Sequence, residues 1–553
     1  MSRSSLQWCL ALGAVLAVVT SLPFLYAFEH QGTDLRFTGS LLAVEDGNSY
    51  IAKMRTGAEG EWLFRSPYTA VPQAGIPAFL VYILLGKLAQ GPGLHVQLVA
   101  LIHAARVLAI FLVVLATYRL AARFLPEERW RRWATILSVA GGGLGWLVFA
   151  AGRAEWLGSQ PLELYSPETF GFLAMLTFPH LLLARAFLLL GLDAYLDAGR
   201  DPRGAARASV WLGILVLTQP LSLAAVGAAI GMHQVLSVAR RARRHEGKPF
   251  AWPLVRPAVI ALALPAVLAA GYALLLRTDP FVRTWAEQNI LLSPHPLHYV
   301  LAYGLLLPAA VIAAFRAPGD RPSDELLLVG WVAALPLLAY APTVVQRRLP
   351  EGVWVALVIL AALGLSRSGL RPHLRWRLAL SMAGVSLVSS AFLLAGAVLA
   401  ATADESPAYR RADEVAAFEW LDAHAAHRAV VLAAYSTGNA LPAWADVRVV
   451  IGHGPESAGL ATLRPRVEAF YRESGATTGA AGLLAEYGVD YVFAGPAERA
   501  LGFNDMLAPG EFVPSYVHGA YMIYQVSAGT SAGSGAQRTL AHLAQPSIFG
   551  AGR

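Results

Sequence analysis

Hydrophobic residues run through most of this chain in long unbroken blocks, and polar residues are confined to the gaps between them. Blocks cover residues 6–28, 97–118, 133–151, 170–196, 253–276, 297–315, 326–344, 353–365 and 378–401. A hydrocarbon layer of about 30 Å at about 1.5 Å per helical residue asks for roughly 20 residues, so most of these blocks read as membrane-spanning helices. Residues 209–238 form one further block that reads as a hairpin, because Thr218-Gln219-Pro220 breaks it: proline removes a donor and disrupts the helix. The apolar stretch 76–89 is too short to cross and reads as a juxtamembrane helix starting after Pro72 and Pro77. Beyond residue 401 the pattern changes. Residues 412–425 have helical spacing, "RAVVLAA" and "VDYVFAG" read as buried strands, and "FVPSYVHGAYMIYQV" as a hairpin around His518-Gly519. Residues 527–553, rich in Ser, Gly, Ala and Gln, read as disordered. The expected organisation is a transmembrane domain over 1–401 with a first loop at 29–96, an α/β domain over 402–526, and a tail.

Charge sets the direction of the blocks. The chain of 553 residues is 56% hydrophobic and only 14% charged. Arginine-rich clusters fall at 119–132, 200–207, 240–248, 316–321 and 367–377, and the positive-inside tendency puts them all in the cytoplasm. An even number of crossings must then separate neighbouring clusters, which gives about 11 spans. The N-terminus is expected inside and residues 402–526 outside, in a multi-pass protein of the cell membrane. The first block is too long for the hydrophobic region of a signal peptide and is kept as a helix. The net charge of +7 is dispersed through loops and is no nucleic-acid signature. Cys9 is the only cysteine, which excludes an intrachain disulfide and a cysteine-based metal site.

Against so apolar a background, "AVEDGNSYIAKMRTGAEGEWLFRSPYT" (43–69) stands out, with Glu45, Asp46, Lys53, Arg55, Glu59, Glu61 and Arg65 in one short span. By the topology it lies outside. A second outer loop, 152–170, carries Glu155, Glu163 and Glu168, and a third polar piece, 343–352, places Arg347 and Arg348 outside against the charge trend. The planar guanidinium fork matches phosphate oxygens. Lys53, Arg55, Arg277 and Arg283 add further outer cations. Acids meeting at a membrane surface beside arginines could take a proton from an acceptor hydroxyl or amine while the cations hold the phosphate leaving group of a lipid-linked sugar. Other features have plainer readings. Asp46-Gly47-Asn48 can be an ordinary solvated turn. Pro179-His180 falls within a membrane helix, where a polar side chain is a candidate binding residue. The glycines of "AGGGLGW" (140–146) read as close packing within a helix, and Asn439 and His453 as turn and core residues.

The layout resembles the polytopic glycosyltransferases of the GT-C fold, in particular the group of protein O-mannosyltransferases and aminoarabinose–lipid A transferase. The resemblance lies in the acids after the first helix, the Pro-initiated "IPAFLVYILLGKLAQGPG", the hairpin turn in "LGILVLTQPLS" and the arginine pair of "QRRLPEGVWVALVILAALGL". It covers roughly residues 6–400. The hairpin turn departs from the family's Lys-Gly-Pro, having Gln219-Pro220. The resemblance implies an all-α polytopic GT-C bundle with a small C-terminal extracytoplasmic α/β domain. It also implies a hexosyltransferase-type enzyme that moves a sugar from a polyprenyl-phosphate donor to a protein, lipid or glycan acceptor. Asp46, followed by Gly47 and Tyr50, takes the role of general base or acceptor positioner, supported by Glu45. Glu168 is the second acid, and Arg347 and Arg348 bind the carrier phosphate, with Tyr50, Lys53 and His180 as further substrate-binding residues. No metal ligand is assigned, and a divalent cation is left open. The alternatives are a transporter or lipid flippase, and a catalytically inactive scaffold on the same fold. A transporter is expected to place charges inside the bilayer and to show internal repeats; Arg106, His103, His180 and Arg185 are the few ionisable residues within helices, and no repeat is evident.

Overall fold

The computed structural model describes residues 1–201, 203–245, 252–315, 323–473, 478–504, 507 and 511–527. Of the arginine clusters, 240–248 lies partly and 316–321 wholly outside these residues. So does the expected tail at 527–553, apart from Ser527. The chain divides into two compact units, each gathered from separated stretches. The first holds Met1–Leu25, Ile102–Ala273 and Ile290–Thr402, and the second Tyr26–Leu101, Leu274–Asn289 and Ala403–Arg553.

The first unit is helical. Among the described residues of the whole chain, six helices are long and apolar enough to cross a membrane: Arg3–His30, Leu94–Phe124, Pro179–Asp197, Ser222–Arg243, Trp252–Thr278 and Pro372–Ala401. The pair Pro296–Tyr303 and Leu307–Phe315, bent by 81°, makes seven if it is one span. Gly204–Thr218, Glu325–Ala339 and Val353–Ser366 are apolar but shorter. The expected count of about 11 assumed unbroken blocks. Several are interrupted. The hairpin does turn at Gln219–Leu221, between Gly204–Thr218 and Ser222–Arg243.

Two breaks correct the sequence reading. The glycine run does not continue a helix, because Glu128–Ala140 ends where it begins. Gly142 N donates to Ser386 O at 2.9 Å and Leu144 N to Leu301 O at 3.0 Å, and a Cβ on Gly143 would sit 2.4 Å from Ala302 O. Glycine lets this backbone touch two neighbouring helices directly. His180 likewise is not in mid-helix. The helix starts at Pro179, whose missing N–H costs nothing at a first position. The opposite end of that helix is tied by ions: Arg123 pairs with Asp193 at 2.8 Å, and also with Asp197 and with Asp324 at 3.4 Å.

The second unit centres on a five-stranded sheet in the order Val447–Val449, Ala429–Leu432, Tyr491–Ala494, Tyr521–Val526, Phe512–His518. The first three strands are parallel and the last two form the antiparallel hairpin. Val430, Leu432, Val492, Ala494 and Phe512 face a core closed by Leu463, Val467, Phe470 and Tyr471 of the helix Leu460–Arg472. A short strand, Leu35–Phe37, pairs antiparallel with Tyr409–Arg411. The acid-rich stretch is not a turn but the helix Val44–Ala58, with Glu45 and Asp46 in its first turn, where the helix dipole favours carboxylates. The expected helix over 76–89 is reduced to Leu80–Gly86. Ile76 is held extended by a two-way bridge to Phe64, N···O 2.8 and 3.0 Å, so helix cannot begin at that point.

Candidate functional site

In the second unit, Val44–Ala58 presents its charged residues to side chains that follow them by roughly four hundred positions. Glu45 Oε1 accepts from Tyr435 Oη at 2.5 Å and from Gly454 N at 3.0 Å. At the next residue, Asp46 Oδ1 lies 3.2 Å from His453 Nε2, its side chain about half exposed. Behind it the charges are buried. Lys53 Nζ sits 2.6 Å from Glu456 Oε1 and also donates to Ser49 Oγ. Glu456 further accepts from Ser49 Oγ at 2.8 Å and Ser66 Oγ at 3.2 Å. Phe79 lies under the ammonium at 4.3 Å and Tyr50 at 5.1 Å, with Tyr50 stacked on Tyr82. Asn439 bridges Asn48 Nδ2 at 2.8 Å and the Glu45 carbonyl at 3.2 Å.

The electrostatics follow from this packing. Burial would raise the Glu456 carboxyl, but Lys53 and His453 outweigh it and hold the carboxyl below the usual range. His453 experiences the converse. Burial disfavours its charge, yet Glu456 and Asp46 together raise it above the ordinary histidine value. The result is an ordered series, Asp46–His453–Glu456–Lys53, with an exposed carboxylate at one end and a sealed ion pair at the other.

The first unit brings together a second set. Arg348 Nε pairs with Glu168 Oε1 at 2.9 Å, and Glu168 is nearly buried. Arg347 lies over the Tyr165 ring at 4.4 Å. Arg185 donates to Pro167 O at 2.9 Å and Glu168 O at 2.5 Å, and its Nε lies 3.5 Å from Glu351 Oε1. Burial pushes Glu351 up to about 8, with Glu168 adding to the shift and Arg185 opposing it. The residues Gln346–Arg348 form one turn of tight helix, held by Arg347 N to Leu291 O at 3.1 Å.

The structure therefore gathers Glu45, Asp46, Tyr50 and Lys53 in one place, and Glu168, Arg347 and Arg348 in another. His180 is buried and stacks near Phe178 at 6.1 Å. Glu155 is exposed, whereas Glu163 is buried with Oε1 2.5 Å from Gly145 N, a structural contact. Arg55 is spent on Asp422 at 3.0 Å and the Trp444 carbonyl at 2.7 Å. Sequence reasoning read His453 as a core residue and Arg185 as an ionisable residue within a helix, and gave neither of them, nor Glu456 and Tyr435, a place in the site. Among the described residues no group of three or more His, Cys, Asp and Glu side chains is arranged to hold a metal ion.

No protein-family model matches the chain, and no curated protein matches it. Solved structures do. The oligosaccharyltransferase of Archaeoglobus fulgidus, tethered with an acceptor peptide, is 16% identical with a TM-score of 0.53 over 88% of this chain and 69% of its own. ArnT from Cupriavidus metallidurans, bound to undecaprenyl phosphate, is 14% identical with a TM-score of 0.53, covering 96% of this chain and all (100%) of its own. The mycobacterial arabinofuranosyltransferase AftD is 17% identical with a TM-score of 0.53, over 96% of this chain and 42% of its own. At these identities the likeness establishes architecture. The chain is a membrane protein with the GT-C fold.

Proposed function

We propose that this protein is a membrane glycosyltransferase that moves a sugar from a polyprenyl-phosphate-linked donor to a hydroxyl or amine acceptor at the outer face of the membrane. The observation that carries the reading is the exposed Asp46 carboxylate, fixed by His453 on a helix first turn, within the same fold as proteins solved with undecaprenyl phosphate and with an acceptor peptide. Asp46 accepts the acceptor's proton as its oxygen or nitrogen bonds to the anomeric carbon. The bond from that carbon to the phosphate oxygen breaks, and the phosphate departs with the electron pair. Arg347 and Arg348 carry cations suited to that leaving group, charge-assisted and able to bind two oxygens at once. Glu168 sets the Arg348 side chain through their 2.9 Å pair. Glu45, anchored by Tyr435 and Gly454, fixes the helix start that presents Asp46. Tyr50 and Lys53, further along the same helix, seat it against Tyr82 and Glu456.

The carrier can be tested without knowing the sugar. The full chain in detergent is titrated with undecaprenyl phosphate, and binding is read by native mass spectrometry. Saturable binding that Arg347→Ala weakens about tenfold, the value of one charge-assisted contact, supports the reading. Equal binding by wild type and Arg347→Ala would remove the arginine assignment, and absence of binding would remove the lipid-linked donor.

A further inference from the structure

The C-terminal sheet has a feature that the transfer chemistry above does not use. From Ala429–Leu432 the chain passes to Val447–Val449 on one side, then crosses to Tyr491–Ala494 on the other. The order reverses between Ala429–Leu432 and Tyr491–Ala494, and open α/β sheets bind ligands outside the carboxyl ends of strands at such a reversal. A cavity of about 150 Å³ lies there. Tyr435, Ser436, Ile451 and Ala497 line it from the segments that follow the three strands, and Arg464 and Glu468 from the helix Leu460–Arg472.

The usual occupant of this position is a phosphate held by free backbone amides. Here two of the backbone amides that follow the strands are already taken. Glu498 is fully buried, with Oε1 accepting from Ala434 N at 2.9 Å and Oε2 from Gly495 N at 2.9 Å. The protein supplies its own anion. The strand carbonyls are met as well: the Tyr471 hydroxyl lies 2.9 Å from both Leu432 O and Phe493 O. Arg464 is neutralised by Glu468, Nε to Oε1 2.9 Å, and lies over the Tyr435 ring at 4.9 Å. An incoming anion would meet Glu468 and, through the Tyr435 hydroxyl, Glu45.

What remains is a neutral, amphipathic lining. The Arg464–Glu468 pair offers donors and an acceptor side by side, Ser436 adds a hydroxyl, and Ile451, Ala497 and the Tyr435 ring form an apolar wall. Adjacent hydroxyls on one face of a small ring, with C–H groups on the other, match this set. We propose that the cavity binds a single neutral sugar ring. Its place in the molecule gives the binding a use. Tyr435 lines the cavity and also donates to Glu45, next to Asp46, so an occupied cavity is felt at the helix start. On the transferase reading the ring belongs to a glycan acceptor; the binding itself does not depend on that reading.

The test uses the full chain in detergent and the methyl glycosides of mannose, galactose and arabinose as probes, with galactose phosphate as the anionic control. Binding is read by saturation-transfer NMR and equilibrium dialysis. The expected result is saturable binding of at least one glycoside, with none of the phosphate ester. Arg464→Ala should weaken it about tenfold or more, as loss of a charged hydrogen-bonding group does. Ala497→Leu, which fills the cavity, should abolish it with the melting temperature retained. Binding by no glycoside, tighter binding of the phosphate ester, or binding that survives both variants would overturn the proposal. Undecaprenyl phosphate titrated into the same samples separates the two readings. If the carrier binds and no glycoside does, the cavity proposal alone fails; if a glycoside binds and the carrier does not, the transferase reading alone fails.

Discussion

Lys53 and Glu456 are each almost wholly buried, 1% and 3% exposed, and their charged atoms are 2.6 Å apart. Two buried opposite charges stabilise little relative to a hydrophobic pair, but removing one partner strands the other in a medium that cannot solvate it. Glu456→Gln is therefore expected to cost about 3–5 kcal/mol, seen as a fall of several degrees in thermal midpoint. Lys53→Met combined with Glu456→Leu should recover most of that loss. If the double variant melts no higher than the single one, the pair is not acting as a unit. His453 gives a pH signature with a defined sign. It faces Asp46, Glu456 and Lys53, and its folded-state pKa is raised above the ordinary value near 6.5. A raised pKa means that the folded state holds the proton more tightly, so the stabilisation is full below about 6.5 and is lost as pH rises through the folded value. The melting difference between wild type and His453→Gln should thus be greatest in acid and shrink on the alkaline side. A difference that grows with pH would contradict the assigned charge. None of these partners was legible in the sequence. Asp46 and His453 are 407 residues apart, and no local spacing marks two side chains that meet only through the fold.

At the scale of elements, glycine contacts decide how the acid-bearing helix is seated. Val44–Ala58 and Leu80–Gly86 approach so closely that a Cβ on Gly57 would lie 2.1 Å from Ile83 O, and one on Gly86 1.8 Å from Met54 O. Those atoms are backbone and cannot swing aside. Gly86→Ala is expected to force the helices apart and to lower the melting temperature more than Gly60→Ala, since nothing among the described residues lies within 4 Å of the space beside Gly60. Gly60 is itself strained for alanine, with φ of +100°, so the comparison is a stringent one. Equal losses would show that the close approach carries no weight. Elements that depend on local pattern were legible: the break at Gln219-Pro220, the buried strands Ala429–Leu432 and Tyr491–Ala494, and the hairpin Phe512–His518 with Tyr521–Val526. Elements fixed by neighbours were not. The glycine run at 141–143 has the composition of a tightly packed helix, and only the contacts with Ala302 and Ser386 turn it into a break. The stretch 44–58 has a polar first turn that reads as loop, and its helix becomes visible through the burial of Ile51, Met54 and Lys53.

At the scale of the whole molecule, the GT-C reading makes a claim that separates holding the carrier from moving the sugar. Two sets of residues bear on it, Asp46 in one compact unit and the arginines in the other. If Asp46 takes the acceptor's proton, Asp46→Asn removes the base while keeping the side chain's shape and a partner for His453. Transfer from a polyprenyl-phosphate sugar should then fall by about 10²–10⁴-fold, the range of a positioned proton acceptor. Affinity for undecaprenyl phosphate should stay the same. Arg347→Ala should do the reverse in binding, weakening the carrier, because among the described residues the guanidinium over Tyr165 is not committed to a carboxylate pair as Arg348 is to Glu168. Arg348 is the poorer probe, since its removal strands the nearly buried Glu168 and mixes folding with function. The experiment is carrier binding and sugar transfer measured on the same three proteins. Loss of both properties in Asp46→Asn would mean that the carboxylate organises the fold rather than the reaction. Loss of neither would return Asp46 to the role of an acid in the helix's first turn, with His453 as its counter-ion. Only a loss of transfer with binding intact assigns the proton to Asp46.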